Sequence, residues 1–194
     1  HVAVVRTKDR GPRLRMMNAV SSWCSDPGGR NADLLKANPA GRGPALVTEE
    51  GTTLSESMLI AMYLDSLDNV KPTPPMLPTP LSDVLHLAGL GQNLMDAALP
   101  TVIARKHYGP EIDQSELGQR RARAMQRLLK QLNSELSGNP TAASIHLGDI
   151  AIAVALEYLA FRLPEIRWKE AHPQLAAWHA AVTARTSFQQ TTFT

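Results

Sequence analysis

With 194 residues, 43% of them apolar, the chain is long enough to bury one large core or two small ones. Its 20 basic residues nearly cancel its 18 acidic ones, and both signs are spread over both halves, which argues against a nucleic-acid surface and a polybasic membrane tail. The single cysteine, Cys24, excludes an internal disulfide and a thiolate metal cluster, and it fits a reducing compartment such as the cytoplasm.

The chain opens on His1 without an initiator methionine or a charged-then-apolar signal pattern, so no targeting segment is expected and the true beginning is expected to be missing. HVAVVRTKDRG reads as the end of a helix: Val2 and Val5 lie three apart, charges follow, and Gly11-Pro12 stop it. RLRMMNAV alternates, with Leu14 and Met16 against Arg13 and Arg15, which predicts a strand. SDPGGRNADLLKANPAG reads as turn, short helix, turn, with Cys24 a bystander just before it. PALVTEEGTTL predicts a β-hairpin closed at Glu49-Glu50-Gly51, where glycine can take positive φ. A helix is expected to start near Ser55 and to bury Leu59, Tyr63 and Leu67 at four-residue spacing.

Five prolines then fall within residues 69–80, a segment that can neither continue a helix nor sit in a central strand. The predicted division is therefore 1–68, a linker 69–80, and 81–194. Beyond the linker, helical periodicity dominates over Leu85–Tyr108, Ser115–Leu136, Ile150–Leu163 and Pro173–Thr183. Met125, Leu128, Leu129, Leu132 and Leu136 form one stripe. The most apolar run, Ile150 to Leu156, is far shorter than the roughly 20 residues a membrane span needs.

Residues 38–64, NPAGRGPALVTEEGTTLSESMLIAMYL, carry the densest backbone chemistry. A proline after AGRG suits a bend in which Gly43 offers its backbone to an extended peptide, and a cis X-Pro bond costs only about 0.5–1 kcal/mol. Free N–H groups where SES opens a helix attract a carboxylate, and Glu56 beside them suits an ammonium. Together these describe a receptor for a small zwitterionic peptide. The same residues also read as ordinary local structure: Ser55 or Ser57 as an N-cap, Glu56 complementing the helix dipole, Pro44 starting a strand. Spacing does not decide between the two.

This stretch resembles the signature of the glutathione transferase superfamily, in which Asn-Pro-x-Gly-x-Val-Pro-x-Leu leads through a hairpin to a Glu/Asp-Ser pair. LGDIAIAVALEYLAFR and HPQLAAWHAAVTARTSFQQT resemble later helices of bacterial members, so the likeness spans nearly the whole chain. It points to the bacterial group whose first helix follows Ser-Pro-x-x-Arg-Lys. The resemblance implies an α/β plus all-α architecture: a thioredoxin-like N-terminal domain, here with its first strand missing, and an all-helical C-terminal domain. It further implies that Pro44 is cis, that Gly43 bonds the cysteinyl backbone of glutathione, that Glu56 and Ser57 hold the γ-glutamyl end, and that Arg42 lies near the glycyl carboxylate. Gly43 departs from the family's usual valine or isoleucine. The group that activates the thiol is expected upstream of His1, because Arg10-Gly11 aligns with the end of the first helix. A cysteine there would favour a glutathione-dependent reductase or lyase; a serine would favour a transferase acting on a small apolar electrophile. A family-shaped binding or assembly module without turnover is the third alternative.

On the first long helix of the second domain, Met95, Leu99, Val102, Arg105 and Tyr108 recur at three- and four-residue intervals, which fits core packing, above all for Leu99 and Val102. The resemblance implies instead an electrophile pocket of Met95, Leu99, Arg105 and Tyr108. A homodimer is expected, with no nucleic-acid or membrane partner. Histidines 1, 86, 107, 146, 172 and 179 lack ligand spacing, so no metal is expected. His146 and Asp149 stand at capping-box positions, with Ile145 and Ile150 as the hydrophobic staple. Arg120, Arg121, Arg123 and Arg127 read as a solvated helix face.

Overall fold

A computed structural model describes residues 4–6, 32–48, 50–66, 80–138 and 145–191. The chain divides into two compact units, His1–Thr73 and Pro74–Thr194.

The first unit holds a three-stranded sheet in the order β1-β2-β3. β1 (Val4–Arg6) runs parallel to β2 (Ala45–Val47), and β2 pairs antiparallel with β3 (Thr53–Ser55). Parallel strands need a long crossover, and α1 (Ala32–Ala37) lies within it. Leu34 and Ala37 of α1 bury against Ala45 and Val47, and Leu46 is fully buried. The hairpin is closed by Thr48: its N–H donates to Thr52 O at 2.8 Å, its carbonyl accepts from Gly51 N at 3.0 Å, and its hydroxyl accepts from Thr52 N. Gly51 has φ +85°, the left-handed conformation that glycine adopts without strain.

β1 corrects the helix end expected over His1–Gly11 and puts a parallel strand beside β2, where a missing strand is expected. The reason is local: VVR is too short for its periodicity to tell helix from strand, and paired β-branched valines suit a pleated sheet. The strand expected at 13–17 and the bystander Cys24 lie outside the described residues. α2 (Ser57–Ser66) begins two residues later than expected, because Ser55 completes β3. Among its described residues Ile60 is buried, whereas Leu59 is 57% exposed and Tyr63 half-buried. The expected stripe is therefore displaced by one residue at its start, and Leu67 lies outside the described residues.

The second unit is helical throughout its described residues: α3 (Leu81–Tyr108), α4 (Glu116–Glu135), α5 (Leu147–Arg162), α6 (Trp168–Ala171), α7 (Pro173–Thr183) and α8 (Thr186–Gln189), with short 3-10 turns at Pro110–Gln114 and Pro164–Ile166. α3 starts four residues before the predicted Leu85, directly after Pro80. The core gathers Leu94, Leu129, Leu132, Ile152, Leu156, Leu159, Leu175 and Val182. The predicted α4 stripe forms: Met125, Leu129, Leu132 and Leu136 are buried, and Leu128 packs against them. Two glycines let α3 and α5 touch. A β-carbon on Gly91 would lie 2.7 Å from Ala151 C and Ile152 N, and one on Gly148 would lie 2.8 Å from Val84 O. The α5 capping box is complete, with Asp149 N donating to His146 Nδ1 at 3.3 Å and His146 N donating to Asp149 Oδ2 at 3.0 Å. Of the expected staple pair, Ile145 joins the core but Ile150 is exposed.

Candidate functional site

The first unit presents its candidate residues at one end of the hairpin. Ala45 pairs with Ser55, so the residues leading into β2, Arg42, Gly43 and Pro44, emerge beside those leaving β3, Glu56 and Ser57. The Gly43–Pro44 bond is cis. Arg42 and Gly43 are exposed, and Pro44 is half-buried.

The approach to β2 is fastened from below. Asn38 ends α1 through its N–H to Leu34 O at 2.6 Å, and its carbonyl accepts from Gly41 N at 2.9 Å. Its side chain accepts from Ala40 N at 3.1 Å and donates to Arg42 O at 2.6 Å. Asn38 is only 9% exposed, among the few buried polar residues described. The sequence reading assigns it no role; the available signal is the Asn-Pro dipeptide, which favours turn initiation.

On the other side, Glu56 takes φ +71°, the left-handed region that non-glycine residues rarely occupy. This turns the chain from β3 into α2, and Glu56 O accepts the first helical bond, from Ile60 N at 3.0 Å. The exposed Glu56 carboxylate and Ser57 hydroxyl stand at the helix entrance, with the amides of the first turn free of intrahelical partners. The arrangement supplies a cation at Arg42, an anion at Glu56, a backbone edge at Gly43 and a set of amide donors.

The four residues expected to line an electrophile pocket all lie on α3 but do not share a face. At about 100° and 1.5 Å per residue, Tyr108 sits roughly 140° round the helix from Met95 and about 20 Å along it. Met95 packs against the core, Leu99 is 40% exposed and Tyr108 is 74% exposed. Arg105 is engaged elsewhere: Nε donates to Asp113 Oδ2 at 2.8 Å, a second nitrogen reaches the same oxygen at 2.6 Å, and a third pairs with Glu165. The Asp113 hydrogen bond holds its pKa above the ordinary arginine value, against partial desolvation. Its guanidinium thus ties the end of α3 to both 3-10 turns. A cavity of about 530 Å³ within this unit is walled by Arg105, Asp113, Met125, Leu129 and Trp168, but by none of the other three residues.

Other titratable groups serve packing. Burial pushes the Asp149 carboxyl above the usual range, with the His146 backbone hydrogen bond acting the other way. His179 on α7 is buried edge-on to Trp168, ring centroids 5.1 Å apart, with Nε2 2.8 Å from Glu157 Oε1. Desolvation lowers its pKa, opposed by Glu157. Of the arginine run, Arg120, Arg123 and Arg127 are exposed as expected, but Arg121 is half-buried and donates to Thr101 Oγ1 at 3.1 Å. Among the described residues no cluster of His, Cys, Asp or Glu could hold a metal, and no helix is long and apolar enough to cross a membrane.

The family profile described as Glutathione S-transferase, N-terminal domain, matches residues 17–67, and that described as Glutathione S-transferase, C-terminal domain, matches residues 115–181. YibF of Escherichia coli (strain K12), an uncharacterised GST-like protein, is 35% identical over 167 residues, covering 83% of this chain and 81% of its own length. The crystal structure of a glutathione transferase family member from Pseudomonas fluorescens Pf-5, with bound glutathione, superposes with TM-score 0.76 at 28% identity, covering 98% of each chain. A glutathione S-transferase from Methylobacillus flagellatus KT with glutathione bound gives TM-score 0.72 at 27% identity, covering 83% of this chain and 80% of that one. A thioredoxin-like unit with this hairpin-to-helix corner, followed by a helical unit, defines the class. The chain belongs to the glutathione transferase superfamily.

Proposed function

We propose that the protein binds glutathione on its first unit and joins the thiol sulfur to a small apolar electrophile. The observation that carries the binding half is the pairing of Ala45 with Ser55, which brings Arg42, Gly43 and Pro44 to the same hairpin end as Glu56 and Ser57. Glutathione bound in solved relatives supports the same reading. In this assignment the Gly43 backbone pairs with the cysteinyl residue as an added strand would, and Pro44 shapes that edge. The Ser57 hydroxyl and first-turn amides of α2 take the γ-glutamyl carboxylate, Glu56 takes its ammonium, and Arg42 takes the glycyl carboxylate.

Conjugation requires the thiolate. A free thiol ionises near pH 8.5, so a nearby donor must favour the charged form before sulfur attacks the electrophile and the leaving group departs. The sequence reading places that donor upstream of His1 by taking residues 1–11 as a helix end. Because Val4–Arg6 is a strand, the donor can equally come from the sequence that follows it. For the electrophile the exposed side of α3 around Leu99 remains the candidate wall; the ion pairs of Arg105 argue for a structural part. The reading extends to a cytoplasmic homodimer with a linker at 69–80.

Calorimetric titration with glutathione tests it. Saturable binding between micromolar and low millimolar concentration, about −8 to −4 kcal/mol, is the expected result. Absence of heat and of thermal stabilisation at several millimolar would refute the socket. A reaction screen with a chromogenic aryl halide then separates transfer from mere binding, and light scattering checks the dimer.

A further inference from the structure

We infer that Asn38 is a positioning residue for glutathione, acting through the peptide group between Arg42 and Gly43; the inference rests on the glutathione reading of the site. The Arg42 carbonyl and the Gly43 N–H belong to one planar peptide unit, and in a trans unit they point in opposite directions. Asn38 is buried, and its Nδ2 donates to Arg42 O at 2.6 Å. Holding the carbonyl toward the buried side turns the Gly43 N–H toward solvent, where an extended ligand's carbonyl can accept from it. Gly43 is exposed, and its N–H has no backbone partner in the described structure.

Asn38 can hold that plane because it is itself held. Its own N–H is tied to Leu34 O, its Oδ1 accepts from Ala40 N, and its carbonyl accepts from Gly41 N, which lies at φ +64°. Four hydrogen bonds therefore converge on one residue between α1 and β2. The arrangement matters more in this chain because position 43 is glycine. Lacking a β-carbon, Gly43 leaves the adjoining peptide freer to rotate than a branched side chain would. The side-chain amide supplies from outside the restraint that the residue itself lacks. Gly43 is not in the left-handed region, so its backbone is open to a residue with a β-carbon.

The two bonds of the Asn38 side chain separate chemically. Asn38→Asp keeps the acceptor for Ala40 N but replaces the donor with a carboxylate oxygen facing the Arg42 carbonyl; Asn38→Ala removes both and serves if the aspartate variant does not fold. Calorimetry of glutathione with wild type, both Asn38 variants, Gly43→Val and the Asn38→Asp/Gly43→Val double variant reads dissociation constant and stoichiometry separately. The expected result is a Kd raised about tenfold or more with stoichiometry unchanged, and a smaller rise, about threefold, when Asn38→Asp is made in the Gly43→Val background. A Kd within twofold of wild type overturns the inference. So does a reduced stoichiometry at constant Kd, the signature of a merely structural role in which fewer molecules are competent. Equal penalties in the glycine and valine backgrounds would remove the route through Gly43. Wild-type protein that binds no glutathione would instead overturn the reading of the site, and this inference with it.

Discussion

The two units divide the work of the molecule along different physical lines. In the helical unit the described residues build a contiguous core from Leu90 to Val182, with two glycines that let α3 and α5 meet, a capping box that starts α5 and ion pairs that fasten Arg105. In the thioredoxin-like unit the described core is small, Leu34, Ala37 and Ala45 with Val47 against it, and the informative features belong to the backbone. A peptide plane is tied by Asn38, a hairpin is closed by Thr48, and Glu56 turns with positive φ. Under the proposed function, substitutions in the helical core should act on stability and substitutions at the hairpin end on recognition.

The largest expected effect is on the stability side. Gly91→Ala places a methyl group against the backbone of α5, and the enforced separation should cost about 1–3 kcal/mol, read as a lower thermal midpoint. Glutathione affinity of the folded fraction should be unchanged; a proportional loss of affinity would break the division between the units. Next comes the binding side. Glu56→Ala with Ser57→Ala should weaken glutathione at least tenfold, about 1.4 kcal/mol, while leaving the thermal midpoint within a few degrees. Unaltered titration of this variant would remove the assignment of that corner.

The smallest effect concerns pH. The His179 pKa is lowered in the folded protein, so the unfolded chain takes up the proton first as the solution is acidified. Its contribution to stability is present above the ordinary histidine value of about 6.5 and is lost as pH falls through that value. A midpoint followed from pH 7.5 to 5 should decline less steeply in His179→Gln than in wild type, and an identical slope would show that other groups carry the acid sensitivity. Asp149 works in the opposite sense, since its raised pKa means that burying the carboxylate costs stability as pH rises above the ordinary aspartate range.

Some of this was legible in the residues alone. Long periodic runs announced α3, α4, α5 and α7, and over α4 the stripe also named the buried face; over α3 it did not, since Leu99, which the spacing fits to the core, is 40% exposed. The His146–Asp149 cap and the turn at Gly51 were equally local, each set by chemistry within four residues. Short segments failed for the converse reason. Three residues of β1 contain less than one helical turn, and α2 shows Leu59 exposed beside buried Ile60, a shift that no spacing rule could anticipate. Arg105 looked like a pocket cation until Asp113 and Glu165, eight and sixty residues away, came to meet it.

The sequence by itself therefore determined the elements whose energetics are local or periodic: α3, α4, α5 and α7 of the second unit, the hairpin and the motif that resembles a glutathione socket. Tertiary structure decided the rest. It set the β1–β2 pairing, the partners of Arg105 and the position of Arg42, Gly43, Glu56 and Ser57 at one hairpin end. These depend on strand register and on contacts between distant segments. Their loop-closure entropy is recovered only once the whole unit has folded, so no short window of residues can carry them.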